Sequence, residues 1–312
     1  MNLFDETLQD DETIFKNHQA LDYEYLPKNL PYREHEQEYL ATCIKPLFNS
    51  RSGKNVFIHG EPGIGKTAAA RFVLQELRQK TDRIQTVYVN AWQKNTSYKI
   101  LLDICEQLGY KFTHNKKTAE LMEVIADILS DEPAVFVFDE IDKVNDLDFL
   151  YGLLEEIDYH SLILITNHKA WLSDLDQRLK SRLMPEMIEF DQYDFAETKG
   201  ILERRIDYAF YDGVWTEDPL DKVARKSTQL KDIRSGLFLL REAANEAESR
   251  ARKGVKSDDV GVAIQKLDDF TIKNSEELSD QKRSIYHVVK EHGPDKIGTL
   301  YETFTNQSTY DV

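Results

Sequence analysis

The sequence predicts an α/β protein: a parallel sheet with helices on both faces, followed by a helical domain. Three observations carry that prediction. Short apolar runs at 55–59, 86–90, 134–138, 162–166 and 187–190 alternate with segments long enough for crossover helices. A glycine-rich turn joins the first run directly to an amphipathic stretch, 68–80. After Phe190 the strand signal fades into four helical patterns, 196–209, 218–227, 235–252 and 257–267.

Taken in order, the first thirty residues are polar and end in the turn Leu26-Pro27-Lys28-Asn29-Leu30-Pro31. A helical pattern runs from Arg33 to Lys45, and Pro46 stops it. The five strands follow. The boundary to the helical domain falls near Tyr193, giving expected domains of 1–193 and 194–271, with a further segment at 276–312.

Composition narrows the function. The chain has 312 residues, 41% hydrophobic and 31% charged, a globular balance with room for two or three domains. Two cysteines, Cys43 and Cys105, are too few for a disulfide framework and suit a reducing cytosol. The acidic start shows no cationic, apolar leader, and the longest apolar runs fall far short of the roughly 20 residues that cross a bilayer. Lys plus Arg is 40 against 56 for Asp plus Glu, a net charge of −16. A broadly basic nucleic-acid coat is excluded, so any DNA contact must use a local patch.

Gly60-Glu61-Pro62-Gly63-Ile64-Gly65-Lys66-Thr67 fits G-x-x-x-x-G-K-S/T in full, after a strand and before a helix. Backbone N–H groups of such a loop cradle phosphates, helped by the helix N-terminus. Lys66 then reaches the β- and γ-phosphates of ATP, and Thr67 holds Mg²⁺. The run Val135-Phe136-Val137-Phe138 ends in Asp139 and Glu140. Asp139 suits the metal and Glu140 suits polarising an attacking water, although both also read as caps of the next helix. Asn167 follows the fourth strand and suits a water- or γ-phosphate-positioning amide, or a plain turn residue. Arg234 opens the third lid helix, where it reads equally as a γ-phosphate sensor and as a solvated arginine.

This order of phosphate loop, acidic strand end, Asn strand end, arginine and helical lid resembles the AAA+ ATPases. The stretches Ile14-Phe15-Lys16-Asn17, Tyr25-Leu26-Pro27 and Leu30-Pro31-Tyr32-Arg33-Glu34 narrow the resemblance to the archaeal and eukaryotic origin-recognition (Orc/Cdc) type of replication initiator. Asp139-Glu140-Ile141-Asp142, Tyr88-Val89-Asn90, Leu175 to Leu183, and Lys231-Asp232-Ile233-Arg234 with Leu239 to Ala244 also resemble that family. Two positions depart from it: Tyr32 stands where His is expected and Lys231 where Gly is usual.

The resemblance implies an AAA+ five-stranded parallel sheet domain, a helical lid and, over 276–312, an incomplete winged-helix remnant too short for all its helices plus the wing hairpin. It implies that Leu26, Pro27 and Arg33 line the adenine pocket. It implies an arginine finger given to a neighbouring subunit, with Arg182 preferred to Arg178. It places DNA contacts on the insertion at about 93–109, where Lys94, Asn95, Thr96, Tyr98 and Lys99 are candidates. The implied protein is cytoplasmic and nucleoid-associated. It binds origin DNA and the replicative helicase or other initiator subunits, with no membrane partner and with slow ATP hydrolysis as a switch. The alternatives are a shortened paralogue that binds nucleotide and partner initiators without turnover, or another AAA+ machine such as a clamp loader.

Overall fold

The structure is a computed structural model that describes residues 13–276, with side chains through residue 269. The expected winged-helix remnant lies beyond Glu276, outside the described residues. The chain divides into two compact units. Among the described residues, one holds 22–205 and 227–234; the other holds 13–21, 206–226 and 235–276.

The first unit contains α1 (Glu34–Ile44), β1 (Val56–His59), α2 (Lys66–Lys80), β2 (Gln85–Asn90), α3 (Ser97–Gln107), α4 (Thr118–Ile128), β3 (Ala134–Asp139), α5 (Asp148–Glu156), β4 (His160–Ile165), α6 (Trp171–Asp174), α7 (Gln177–Leu183) and β5 (Glu186–Glu189). All five expected strands form, close to their expected bounds. The helix after the glycine turn begins at Lys66, earlier than its apolar pattern shows, because the turn itself feeds the first helical residue. The strands pair in the order β2-β3-β4-β1-β5, and every pairing is parallel.

Successive side chains on a strand point to opposite faces, and a sheet covered on both sides needs apolar residues at every position. That is why β1 and β3 read as continuous apolar runs: both are buried throughout. Phe57, Phe136, Phe138, Leu162 and Leu164 pack with residues of α3, α4, α5 and α7. Val56, Ile58, Val135, Val137, Ile163 and Ile165 pack with residues of α1 and α2.

The second unit takes in the end of α8 (Phe195–Ala209), most of α9 (Glu217–Leu230), α10 (Ile233–Ser249) after its first turn, and α11 (Ser257–Glu276). Within it, Phe15 packs against Phe210 at 4.9 Å between ring centroids, and the Lys16 N–H donates to the Ala209 carbonyl at 2.8 Å. Asp259 is fully buried; it accepts from the Lys256 N–H at 2.9 Å and pairs with Arg250 and Arg252. A buried carboxylate survives only with such partners.

Phe136 is fully buried and its ring stacks at 6.3 Å on Phe138. Phe136→Ala leaves a cavity the β3 backbone cannot close, so chemical denaturation should show a loss of about 3–5 kcal/mol in stability.

Candidate functional site

β4 lies between β1 and β3 in the sheet. The carboxyl ends of these three adjacent strands therefore present, side by side, the glycine turn, Asn167 and the Asp139-Glu140 pair. Open parallel sheets bind ligands at this edge.

The turn curls tightly. Gly63 and Gly65 have φ of 76° and 91°, left-handed values that residues with a Cβ avoid. A Cβ on Gly63 would also lie 2.0 Å from Asp232 Oδ1. The curl delivers Lys66 to the start of α2 with its side chain turned inward; Lys66 is only 6% exposed. Its ammonium has three protons and finds three acceptors: Gly60 O at 2.8 Å, Glu61 O at 2.7 Å and Asn167 Oδ1 at 2.8 Å. Burial, offset in part by Asp139 and Glu140, lowers its pKa to about 8.

The next residue, Thr67, donates its hydroxyl to Asp139 Oδ2 at 2.6 Å. Asp139 is buried and Glu140 half-buried. Glu140 holds a left-handed backbone, φ 56°, costly for a residue with a side chain and a feature that gathers at functional sites. Its pKa is raised, first by burial and then by the charges of Asp139 and Asp142. The Asn167 amide donates weakly to both Glu140 oxygens, at 3.5 and 3.4 Å. One amide thus touches the lysine with its oxygen and the carboxylate with its nitrogen.

Arg33 braces this loop. Its Nε and Nη2 both donate to the Ile64 carbonyl, at 3.2 and 3.1 Å, and its guanidinium lies 4.0 Å over the Tyr193 ring. Nη1 pairs with Glu36 at 3.0 Å. Pro27 is buried and Leu26 half-buried in the same unit. The Ile233 N–H donates to Gly63 O at 3.3 Å, which ties the first turn of α10 to the loop. Arg234 is exposed, its backbone N–H donates to Asp232 Oδ1 at 2.8 Å, and its charge contributes to lowering the Lys66 pKa. Lys231, at the position where glycine was the expected residue, keeps the left-handed turn with φ 57°.

The other candidates make contacts of their own. Arg182 pairs with Glu155 at 2.5 Å and its guanidinium sits 4.9 Å over the Tyr151 ring; Arg178 is exposed. Around α3, Lys94 pairs with Asp103 at 3.2 Å, Thr96 caps the helix by accepting from the Lys99 N–H, and Lys99 Nζ donates to Asn95 Oδ1 at 3.1 Å. Tyr98 is exposed.

These donor types fit a nucleotide with Mg²⁺. A curled glycine loop at a helix N-terminus, with a lysine already holding three oxygens, suits phosphate. A hydroxyl and a carboxylate meeting at 2.6 Å suit an ion that takes its remaining ligands from water and phosphate. Among the described residues there is no group of three or more His, Cys, Asp or Glu placed to hold a metal. No helix among them is long and apolar enough to cross a membrane.

The chain matches two family models, an AAA domain over residues 50–171 and a Cdc6 AAA+ ATPase-type lid domain over 199–265. It is 30% identical to ORC1-type DNA replication protein 3 of Haloarcula marismortui, across 96% of this chain and 84% of that one. The chain belongs to the ORC1-type DNA replication proteins. It is 38% identical to ORC1-type DNA replication protein 1 of Sulfurisphaera tokodaii, over 75% of this chain and 62% of that relative. Its fold is similar to the Aeropyrum pernix ORC1 protein in complex with DNA, at a TM-score of 0.76 and 27% identity, over 97% of this chain and 85% of that one.

Two features of this ORC1-type chain carry no expectation from sequence. Tyr88 donates its hydroxyl to Asp139 Oδ2 at 2.8 Å, a meeting set by the β2–β3 register that no sequence signal gives. The α3–α4 connection exposes Lys111, Phe112 (81% exposed), His114 and Lys117, with Lys116 over the Tyr110 ring at 5.9 Å. Basic residues interleaved with aromatics are the signal there, just past the expected end of the insertion.

Replacing Arg33 with Ala strips the buried Ile64 carbonyl of both side-chain donors. The variant should lose about 1–3 kcal/mol of stability in thermal or urea melts.

Proposed function

We propose that this ORC1-type chain is an ATP-dependent replication initiator: it binds origin DNA, helps load the replicative helicase and hydrolyses ATP slowly as a switch. The observation that carries the nucleotide half is the convergence of Lys66, Thr67, Asp139, Asn167 and Glu140 at three neighbouring strand ends. Family membership and the likeness to an ORC1 protein bound to DNA support the initiator half. In this reading residues 1–193 are the nucleotide-binding domain, 194–271 the lid and 276–312 part of a winged helix. The working location is the nucleoid, within the cytoplasm.

Lys66 leaves Asn167 and the loop carbonyls and donates to the β- and γ-phosphates. Thr67 and Asp139 hold Mg²⁺, which when bound offsets the charge that develops on the phosphates. Glu140, its carboxylate made more basic by burial and its acidic neighbours, accepts a hydrogen bond from a water and orients it. Asn167, in contact with both Lys66 and Glu140, holds that water in line. Arg234 senses the γ-phosphate, and Arg182, released from Glu155, serves a neighbouring subunit as its finger. Leu26, Pro27 and Arg33 form the base side of the site.

DNA contact falls to the insertion. Lys94, Asn95, Thr96, Tyr98 and Lys99 are candidates, although four of the five are engaged within the chain as described above. Lys111, Phe112 and Lys117 at the α3–α4 tip are freer to meet phosphates and a groove.

Two measurements test these readings. Lys66→Ala should lose ATP binding, whereas Glu140→Gln should bind ATP as the parent does and fall at least a hundredfold in turnover. Retained turnover in Glu140→Gln removes Glu140 from its role; nucleotide binding with no turnover in the parent assigns the regulatory paralogue instead. Duplex binding should be tighter with ATP than with ADP and fall steeply with salt, and Lys111→Ala with Lys117→Ala should flatten the log-log salt slope by roughly two. An unchanged slope moves DNA contact off the tip.

A further inference from the structure

Tyr88 sits on β2, in register with Val137 of β3. Side chains alternate, so two residues beyond Val137 the same face of β3 carries Asp139. The Tyr88 hydroxyl donates to Asp139 Oδ2 at 2.8 Å, and Thr67 donates to that same oxygen at 2.6 Å.

Tyr88 is held from two further sides. From α2, Arg71 places its guanidinium 5.7 Å over the Tyr88 ring. From α3, the Gln107 amide grips the Tyr88 backbone: its Oε1 accepts from the Tyr88 N–H at 3.1 Å and its Nε2 donates to the Tyr88 carbonyl at 2.9 Å. Gln107 Nε2 also donates to Asp103 Oδ2 at 2.7 Å, and Asp103 pairs with Lys94. The insertion helix is thus bonded to the strand residue that holds the carboxylate.

We propose that Tyr88 is a positioning residue for the magnesium-binding carboxylate, its hydroxyl fixing the orientation of Asp139 and its backbone fixed in turn by Gln107 of α3. The proposal rests on the nucleotide reading above. A carboxylate held by two donors on one oxygen keeps its other lone pairs aimed in one direction. Without the phenol, Asp139 keeps only the Thr67 hydroxyl on Oδ2 and the Glu140 N–H on Oδ1, at 3.0 Å, so it gains freedom about its last torsion, and ordering it again costs part of the metal's binding energy. Partners of metal ligands have effects of about 10- to 100-fold on metal affinity.

The test is ATP affinity of the full chain, measured by equilibrium binding in EDTA and across a Mg²⁺ series, for the parent, Tyr88→Phe, Gln107→Ala and Asp139→Asn. Tyr88→Phe should keep the parent's ATP affinity in EDTA and its melting temperature, yet need about tenfold more Mg²⁺ for half of the Mg²⁺-dependent gain. Gln107→Ala, a change at an exposed amide, should shift the Mg²⁺ midpoint in the same direction by less. Asp139→Asn should lose the response. An unshifted midpoint in Tyr88→Phe, with Asp139→Asn unresponsive, overturns the proposal and leaves the nucleotide reading standing. A Tyr88→Phe chain that melts early and binds ATP worse in EDTA also overturns it, because the phenol is then structural. If Tyr88→Phe does not fold, an unshifted midpoint in Gln107→Ala overturns it. A parent whose ATP affinity ignores Mg²⁺ overturns the nucleotide reading and this proposal with it.

Discussion

Lys66 carries a charge that the fold has nearly removed from water. An ammonium buried without acceptors would lose its proton or destabilise the fold. Here three oxygens receive its three protons, two from the loop that precedes it and one from Asn167. That single requirement organises much of the first unit. The loop must curl far enough to turn its carbonyls on Lys66, so its glycines take left-handed angles. The strand that delivers Asn167 must lie next to β1, and β4 does. The outer side of the curl needs its own support, and Arg33 supplies it at the Ile64 carbonyl.

The acidic side of the site has the opposite difficulty. Asp139, Glu140 and Asp142 lie within four residues, and burial raises the cost of their mutual repulsion. The cluster is distributed among different neutral or cationic partners: Thr67 and Tyr88 on Asp139, Asn167 on Glu140, Lys143 and Thr166 on Asp142. Asn167 is the hinge between the two halves, since it contacts both the lysine and Glu140. A neutral amide does this without adding charge to either.

Much of this was legible from sequence because it is local. The strands announce themselves as apolar runs because both sheet faces are covered, and the phosphate loop because its chemistry is contiguous from Gly60 to Thr67. Asp139, Glu140 and Asn167 read clearly as strand-end residues. What sequence does not convey is which strand lies beside which. Tyr88 meets Asp139 only through the β2–β3 register, and Arg33 meets Ile64 across 31 positions. The engagement of Lys94, Asn95, Thr96 and Lys99 is equally hidden, since a basic, polar stretch reads the same whether it is capping a helix or waiting in solvent. Lys231 shows a different limit: the turn it makes is left-handed even though the residue is not glycine.

β2 is one of the two outer strands of the sheet, and an outer strand offers unpaired backbone groups to any passing chain. The Gln107 side chain pairs with both the N–H and the carbonyl of Tyr88, as a neighbouring strand would. A single amide therefore occupies the middle of the rim, and a stray strand seeking to extend the sheet would first have to displace it. The same side chain that fixes Tyr88 therefore also blunts an open sheet edge.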